Sequence, residues 1–140
     1  MQILKEKSRA KSQITFDEDF NVPDAKPDAG RLIQNKGRII MDDVRLTDGK
    51  GILTGNLQVD ILYVGEERGI VSSLTAKLPF EETLNLKDII NGDKMCLKWE
   101  IEDLSIHLIH SRKLNIKAVV TFYAAVDELS GIRLPVYLED

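Results

Sequence analysis

The chain has little of what most enzymes and metalloproteins are built from. Of its 140 residues, one is cysteine and two are histidine. A single thiol, Cys96, cannot form an internal disulfide, and it rules out any zinc site that needs several cysteines. It lies in "KMCLKWEIED", where it reads as one more strand residue with no base beside it. His107 and His110 stand three apart in a strand-like run. That spacing predicts side chains on opposite faces and no shared metal site. No apolar run is long enough to cross a bilayer. The start lacks the continuous apolar core and small-residue cleavage site of a secretory signal. The expectation is a chain made in the cytoplasm and not inserted into a membrane. Positive charge is also in short supply, with 19 Lys and Arg against 23 Asp and Glu, a net charge of -4. Nucleic-acid binding needs clustered positive charge against phosphate, so no nucleic-acid partner is expected.

The sets that carry chemistry are missing as well. Ser111 follows His110, but sequence neighbours rarely reach nucleophile-and-base geometry, and no glycine-flanked elbow surrounds the serine. Acidic pairs are numerous: Asp17–Asp19, Asp42–Asp43, Glu66–Glu67 and Glu81–Glu82. None has oxygen ligands at alternating positions around a glycine, as a calcium loop requires, so they read as solvated turn carboxylates. "TDGKG" (47–51) is too short for a phosphate-gripping loop. No catalytic residue, cofactor or metal ligand is assigned, and the expectation is a protein that is not an enzyme.

What is present is period-two alternation. Leu57, Val59, Ile61 and Tyr63 share one face of "GNLQVDILYVG". Ile70, Ser72, Leu74, Ala76, Leu78 and Phe80 repeat the pattern, as do Leu114, Ile116, Ala118, Val120 and Phe122. In "CLKWEIEDLSIHLI" the face runs Leu97, Trp99, Ile101 and then shifts to Leu104, Ile106, Leu108. That shift predicts a β-bulge near Glu102–Asp103 or two strands meeting at a bend. "TDGKG" predicts a hairpin through its Asp-Gly pair, and "GEERG" (65–69) a second tight connection. "LKDIINGDK" (86–94) reads as a longer loop with room for one helical turn. "DELSGIRLPVYLED" reads as a last hairpin turning at Ser130-Gly131, its second strand confined to an edge by Pro135.

One stretch departs from the pattern. In "NVPDAKPDAGRLIQNKG" Pro23 and Pro27 remove amide donors. Pro27 suits a first helical turn with Asp28 as its early acid, which predicts a short helix near Asp28–Gln34. The fold class is then all-β, an antiparallel sandwich or partly closed barrel with that one helix. The divisions are a basic arm or first strand over 1–16, carrying Lys5, Lys7, Arg9 and Lys11, a β domain over 17–126, and a hairpin or tail over 127–140. Removing residues 1–16 is expected to weaken self-association and leave the domain folded.

Three ordered segments then resemble one family. They are "VPDAKPDAGRLI" (22–33), "TDGKGILTGNLQVDILYVG" with "LTAKLPFEETLNL" (47–65 and 74–86), and "IEDLSIHLIHSRKLNIKAVV" (101–120). Together they resemble the SPOCS domain of clostridial spore-coat and spore-morphogenesis proteins, which often precedes a LysM module. Its signature positions here are Pro23, Pro27, Asp28, Tyr63, Phe80, Ser111, Arg112, Lys113, Leu114 and Asn115. The resemblance implies a non-enzymatic module of the spore envelope, made in the mother cell and deposited on the spore surface layers. Its implied partners are other envelope proteins. This chain carries one copy, no LysM module and a basic arm ahead of the match. That arrangement fits a small coat or appendage subunit forming a homo-oligomer or polymer through sheet edges and terminal segments. The alternative is a glycan- or peptidoglycan-binding module using Trp99, Tyr63, Tyr123 and Tyr137, although aromatics make up only 6% of the chain. Within "HSRKLN", Arg112 offers a planar fork for a carboxylate, and Glu102 and Asp103 are both possible partners.

Overall fold

The computed structural model describes residues 4–47, 49–67, 69–86 and 94–129. Their alternation becomes six long strands: β1 (Leu4–Asn21), β2 (Ala29–Thr47), β3 (Lys50–Gly65), β4 (Val71–Asn85), β5 (Lys94–His110) and β6 (Lys113–Leu129). They form two three-stranded sheets, ordered β1-β6-β5 and β2-β3-β4, with every pairing antiparallel. The sheets stack face to face with β2 over β5 and β1 over β4. The result is a sandwich rather than a closed barrel, because among the described residues no strand of one sheet pairs with a strand of the other.

The two central strands carry the clearest patterns because both have neighbours on either side. On β3, Leu53, Leu57, Val59, Ile61 and Tyr63 are buried and alternate with half-buried residues and the exposed Leu62. On β6, Leu114, Ile116, Ala118, Val120, Phe122, Ala124 and Val126 face inward. Leu74, Ala76, Leu78 and Phe80 of β4 complete the middle of the core. Each fully buried Leu, Ile or Phe contributes about 1.5–3 kcal/mol by leaving water. Phe80 joins the two layers. Its ring meets Phe16 edge-on with centroids 6.2 Å apart, and Phe122 at 5.4 Å and a 41° tilt.

Two glycines carry distinct backbone duties. Gly49 sits in the β2–β3 hairpin turn with φ 77°, the left-handed region that favours glycine. Gly55 lies mid-strand, where a Cβ would stand 2.3 Å from the Ile40 carbonyl oxygen and 3.1 Å from Phe80 Cζ. The β2 bulge between Met41 and Asp43 falls opposite this position, so the chain curves onto a residue with no side chain.

Several expectations change. No helix is present over Asp28–Gln34; from Ala29 onward the chain is β2. Bulges between Ala29 and Arg31 and between Leu32 and Gln34 break its alternation, which is why the stretch does not read as a strand. The expected shift in β5 is a bulge between Ile101 and Asp103, not a meeting of two strands. The basic segment lies within β1, which pairs with β6 from Leu4 to Asn21 and buries Phe16. Asp17–Asp19, Asp42–Asp43 and Glu81–Glu82 lie in strands rather than turns. Both expected tight turns, 47–51 and 65–69, connect antiparallel neighbours. Residues 87–93 and the expected C-terminal hairpin with Pro135 and Tyr137 lie outside the described residues.

Candidate functional site

"HSRK" is the β5–β6 hairpin turn. His110 pairs with Lys113, leaving Ser111 and Arg112 as its tip. The tip reaches the segment that carries the chain from one sheet to the other, residues 22–28 between β1 and β2. Backbone bonds dock the two: the Val22 amide donates to the Arg112 carbonyl and the Ala29 amide to the Ser111 carbonyl, each at 2.8 Å. The Arg112 side chain then closes over the segment. Nη1 donates to the Lys26 carbonyl at 2.7 Å and to Asp28 Oδ1 at 2.9 Å. Nη2 donates to the carbonyls of Val22 at 3.1 Å and Pro23 at 2.9 Å. A planar guanidinium can meet four acceptors along a curved loop; a lysine ammonium cannot.

The two prolines explain why so many carbonyls face Arg112. A prolyl nitrogen has no hydrogen to donate, so the segment forms no ladder and its carbonyls need outside donors. The Pro23 carbonyl also accepts from the Lys26 amide at 2.9 Å, bending the segment into a turn. The Pro27 carbonyl is taken by the hydroxyl of Tyr63 at 2.9 Å, and the Asp28 carbonyl by the Glu66 amide at 2.8 Å. Tyr63 is fully buried. Burial raises its phenol above the usual 10.0, offset in part by the Arg112 charge and a Ser72 hydrogen bond, while Asp28 adds to the rise. The hydroxyl therefore stays protonated and donating at neutral pH.

Arg112 thus has Asp28 as its carboxylate partner, not Glu102 or Asp103. The β5 bulge leaves Glu102 beside Thr121 Oγ1, which it hydrogen-bonds, far along the strand from the turn. The remaining signature positions fall around the same end of the sandwich or in its core. Leu114 is buried and Phe80 bridges the layers. Lys113 opens β6 opposite Asn21 of β1. Asn115 Nδ2 donates to Asp17 Oδ1 at 2.9 Å and Asp19 Oδ1 at 3.0 Å. A shallow polar depression lined by Lys26, Pro27, Asp28, Glu67 and Arg112 marks the surface above the clamp. Both terminal nitrogens of Arg112 are already engaged, so its geometry suits holding a loop rather than gripping an anion.

The other candidates do not converge. The bulge between Leu108 and His110 sets His110 opposite Lys113 and His107 opposite Asn115, so by register both histidines fall on the outer face. This overturns the expectation of opposite faces, yet the two have separate partners. His107 Nε2 meets Ser105 Oγ at 3.0 Å, and His110 Nδ1 accepts from the Arg112 amide at 3.1 Å. Cys96 is exposed. Among the described residues, no group of three or more His, Cys, Asp or Glu side chains is placed to hold a metal ion. The aromatics do not share a platform. Tyr63 is buried; Trp99 pairs with Phe122 on the inner side and Tyr123 with Lys98 on the outer side, each about two-fifths exposed at 40% and 39%.

Among the described residues the sheets also present four edges: β1 and β5 on one, β2 and β4 on the other. They differ in quality. β2 has three register breaks and β5 two, while β4 is continuous but contains Pro79. β1 runs from Ser8 to Asn21 without a break or a proline. Such an edge carries unpaired amides and carbonyls that accept another strand.

No curated protein and no solved structure matches the chain. A family model does match, that of SipL, SPOCS domain, over residues 28–109. The match takes in Asp28, Tyr63 and Phe80, together with β2, β3, β4 and nearly all of β5. It spans more than half of the sequence, and the chain belongs to the SipL SPOCS-domain family.

Proposed function

We propose that this chain is a non-enzymatic structural and assembly module of the bacterial spore envelope, in the coat, exosporium or an appendage. It works by protein–protein contact with other envelope proteins and with copies of itself, through sheet edges and terminal segments. It is made in the mother cell and deposited on the spore surface layers. Family membership points to sporulation. The observation that carries the assembly reading is the set of long strand edges, 15 to 19 residues each, on both sheets. Strand addition at an edge gives main-chain hydrogen bonds without any special side-chain constellation. The Arg112 clamp supplies the rigidity such a module needs, since it fixes the crossing between the sheets.

Sedimentation of the purified chain across a concentration series, with immunogold labelling of spore sections, tests this reading. Association that grows with concentration and label confined to the envelope are expected. A chain that stays monomeric throughout and labels no spore layer would sink it. The glycan-binding alternative rests on Trp99 and Tyr123, whose placement on opposite faces disfavours a shared sugar platform. Sedimentation of the chain with isolated cortex peptidoglycan, but not by itself, would reverse the preference.

A further inference from the structure

The outer face of β1 carries an ordered charge pattern. By register, Arg9, Lys11, Gln13, Thr15, Asp17 and Asp19 lie opposite Ala125, Tyr123, Thr121, Val119, Lys117 and Asn115, the outward-facing positions of β6. All six side chains are exposed. The row therefore reads positive, positive, neutral, neutral, negative, negative. Both ends are held in place by the neighbouring strand. Lys11 lies over the Tyr123 ring, 5.6 Å from its centroid, and Asn115 holds the two aspartates side by side.

We infer that β1 pairs antiparallel with β1 of a second copy about a two-fold axis at Ile14, joining two three-stranded sheets into one continuous sheet. The pattern selects this arrangement. With Ile14 opposite its own counterpart, Lys11 falls opposite Asp17 of the second copy and Arg9 opposite Asp19. Symmetry repeats both pairs, and all of them lie on one face. Directly opposed charges of opposite sign stabilise an antiparallel ladder, and like charges destabilise it. A parallel pairing in register would set like charge against like at every charged position. Isologous contacts of this kind close on themselves, so the product is a dimer. The other edges are poorer templates: bulges interrupt β2 and β5, and Pro79 removes a donor from β4.

This inference rests on the assembly reading and names its first contact, so the test must separate the two. Lys11→Asp and Asp17→Lys are made separately, checked for folding by circular dichroism, and examined by sedimentation. Each variant alone opposes like charges in both symmetric pairs, and its dimer is expected to weaken about ten-fold, or about 1.4 kcal/mol. An equimolar mixture is expected to regain the affinity, because each variant complements the other. Independently, Gln13→Cys and Thr15→Cys in a Cys96→Ser background should form a disulfide when mixed and oxidised. Neither should cross-link alone, because those two positions oppose each other across the axis at disulfide range. Association unaffected by either charge reversal, with no mixed disulfide, would overturn the β1 pairing and leave assembly through another edge standing. A wild-type chain that is monomeric at its highest soluble concentration would overturn both.

Discussion

Arg112 and Tyr63 hold the same inter-sheet segment from two sides. The guanidinium takes the carbonyls of Val22, Pro23 and Lys26, and the phenol takes that of Pro27. One group comes from the β5–β6 turn and the other from β3, so the clamp ties both sheets to the chain that joins them.

Arg112→Ala should lower stability by about 1–3 kcal/mol, since three carbonyls and a carboxylate lose their donor at a partly exposed site. Arg112→Lys should recover little of that loss, because an ammonium cannot reach all four acceptors. Asp28→Asn should cost less than about 1 kcal/mol, the usual worth of an ion pair open to solvent. Thermal melts of the three variants check the ranking. An unchanged melting temperature for Arg112→Ala together with impaired assembly would make the turn an interface instead.

Tyr63 predicts an alkaline limit. A phenol whose folded pKa lies above its unfolded value binds its proton more tightly in the folded state. Its stabilising contribution is therefore complete below about 10 and is lost as the pH rises through the folded value. Tyr63→Phe should cost about 1 kcal/mol at neutral pH through the lost bond to Pro27. It should also flatten the fall in stability above that point. Denaturant melts of both proteins at pH 8 to 11 would show the two curves converging; parallel curves would refute the assignment.

Gly55→Ala should be among the most damaging single methyl additions, costing about 3 kcal/mol or more, because its Cβ would overlap backbone rather than a movable side chain. Gly49→Ala, in an open turn, should cost only about 1 kcal/mol through its positive φ. Equilibrium unfolding in urea separates the two.

Removal of residues 1–16 should prevent stable folding rather than merely weaken assembly. Truncating a buried Phe alone costs about 3–5 kcal/mol, set against about 5–15 kcal/mol for a whole domain. The deletion removes Phe16 and most of a strand besides. A dispersed amide spectrum from the shortened chain would show otherwise.

Strands whose two faces differ cleanly were legible from sequence. β3, β4 and β6 alternate without interruption, and the phase change in β5 announces its bulge. Only the first half of β2 was not legible, because closely spaced bulges place Leu32 and Ile33 side by side after Pro27 and Asp28, a grouping that mimics the start of a helix. The polar character of "HSRK" and the importance of Arg112 were visible, but its partner was not. Glu102 and Asp103 are near in sequence, whereas Asp28 is 84 positions away and arrives only through the crossing between sheets. Ile70 reads as core by alternation but sits 56% exposed, because it lies just outside β4 beside the turn.

The pairing of β1 with β6 sets the order in which the molecule can be made. β2, β3 and β4 form a meander of successive hairpins and can assemble as they leave the ribosome. β1 precedes the other described strands yet must wait for β6, since Ile14 pairs with Val120 and Asn21 with Lys113. Long-range closure of this kind is slow. Throughout synthesis, the unbroken ribbon that the finished protein offers at its edge has neither side satisfied. Nascent chains held close together can therefore exchange first strands, each completing the sheet of its neighbour.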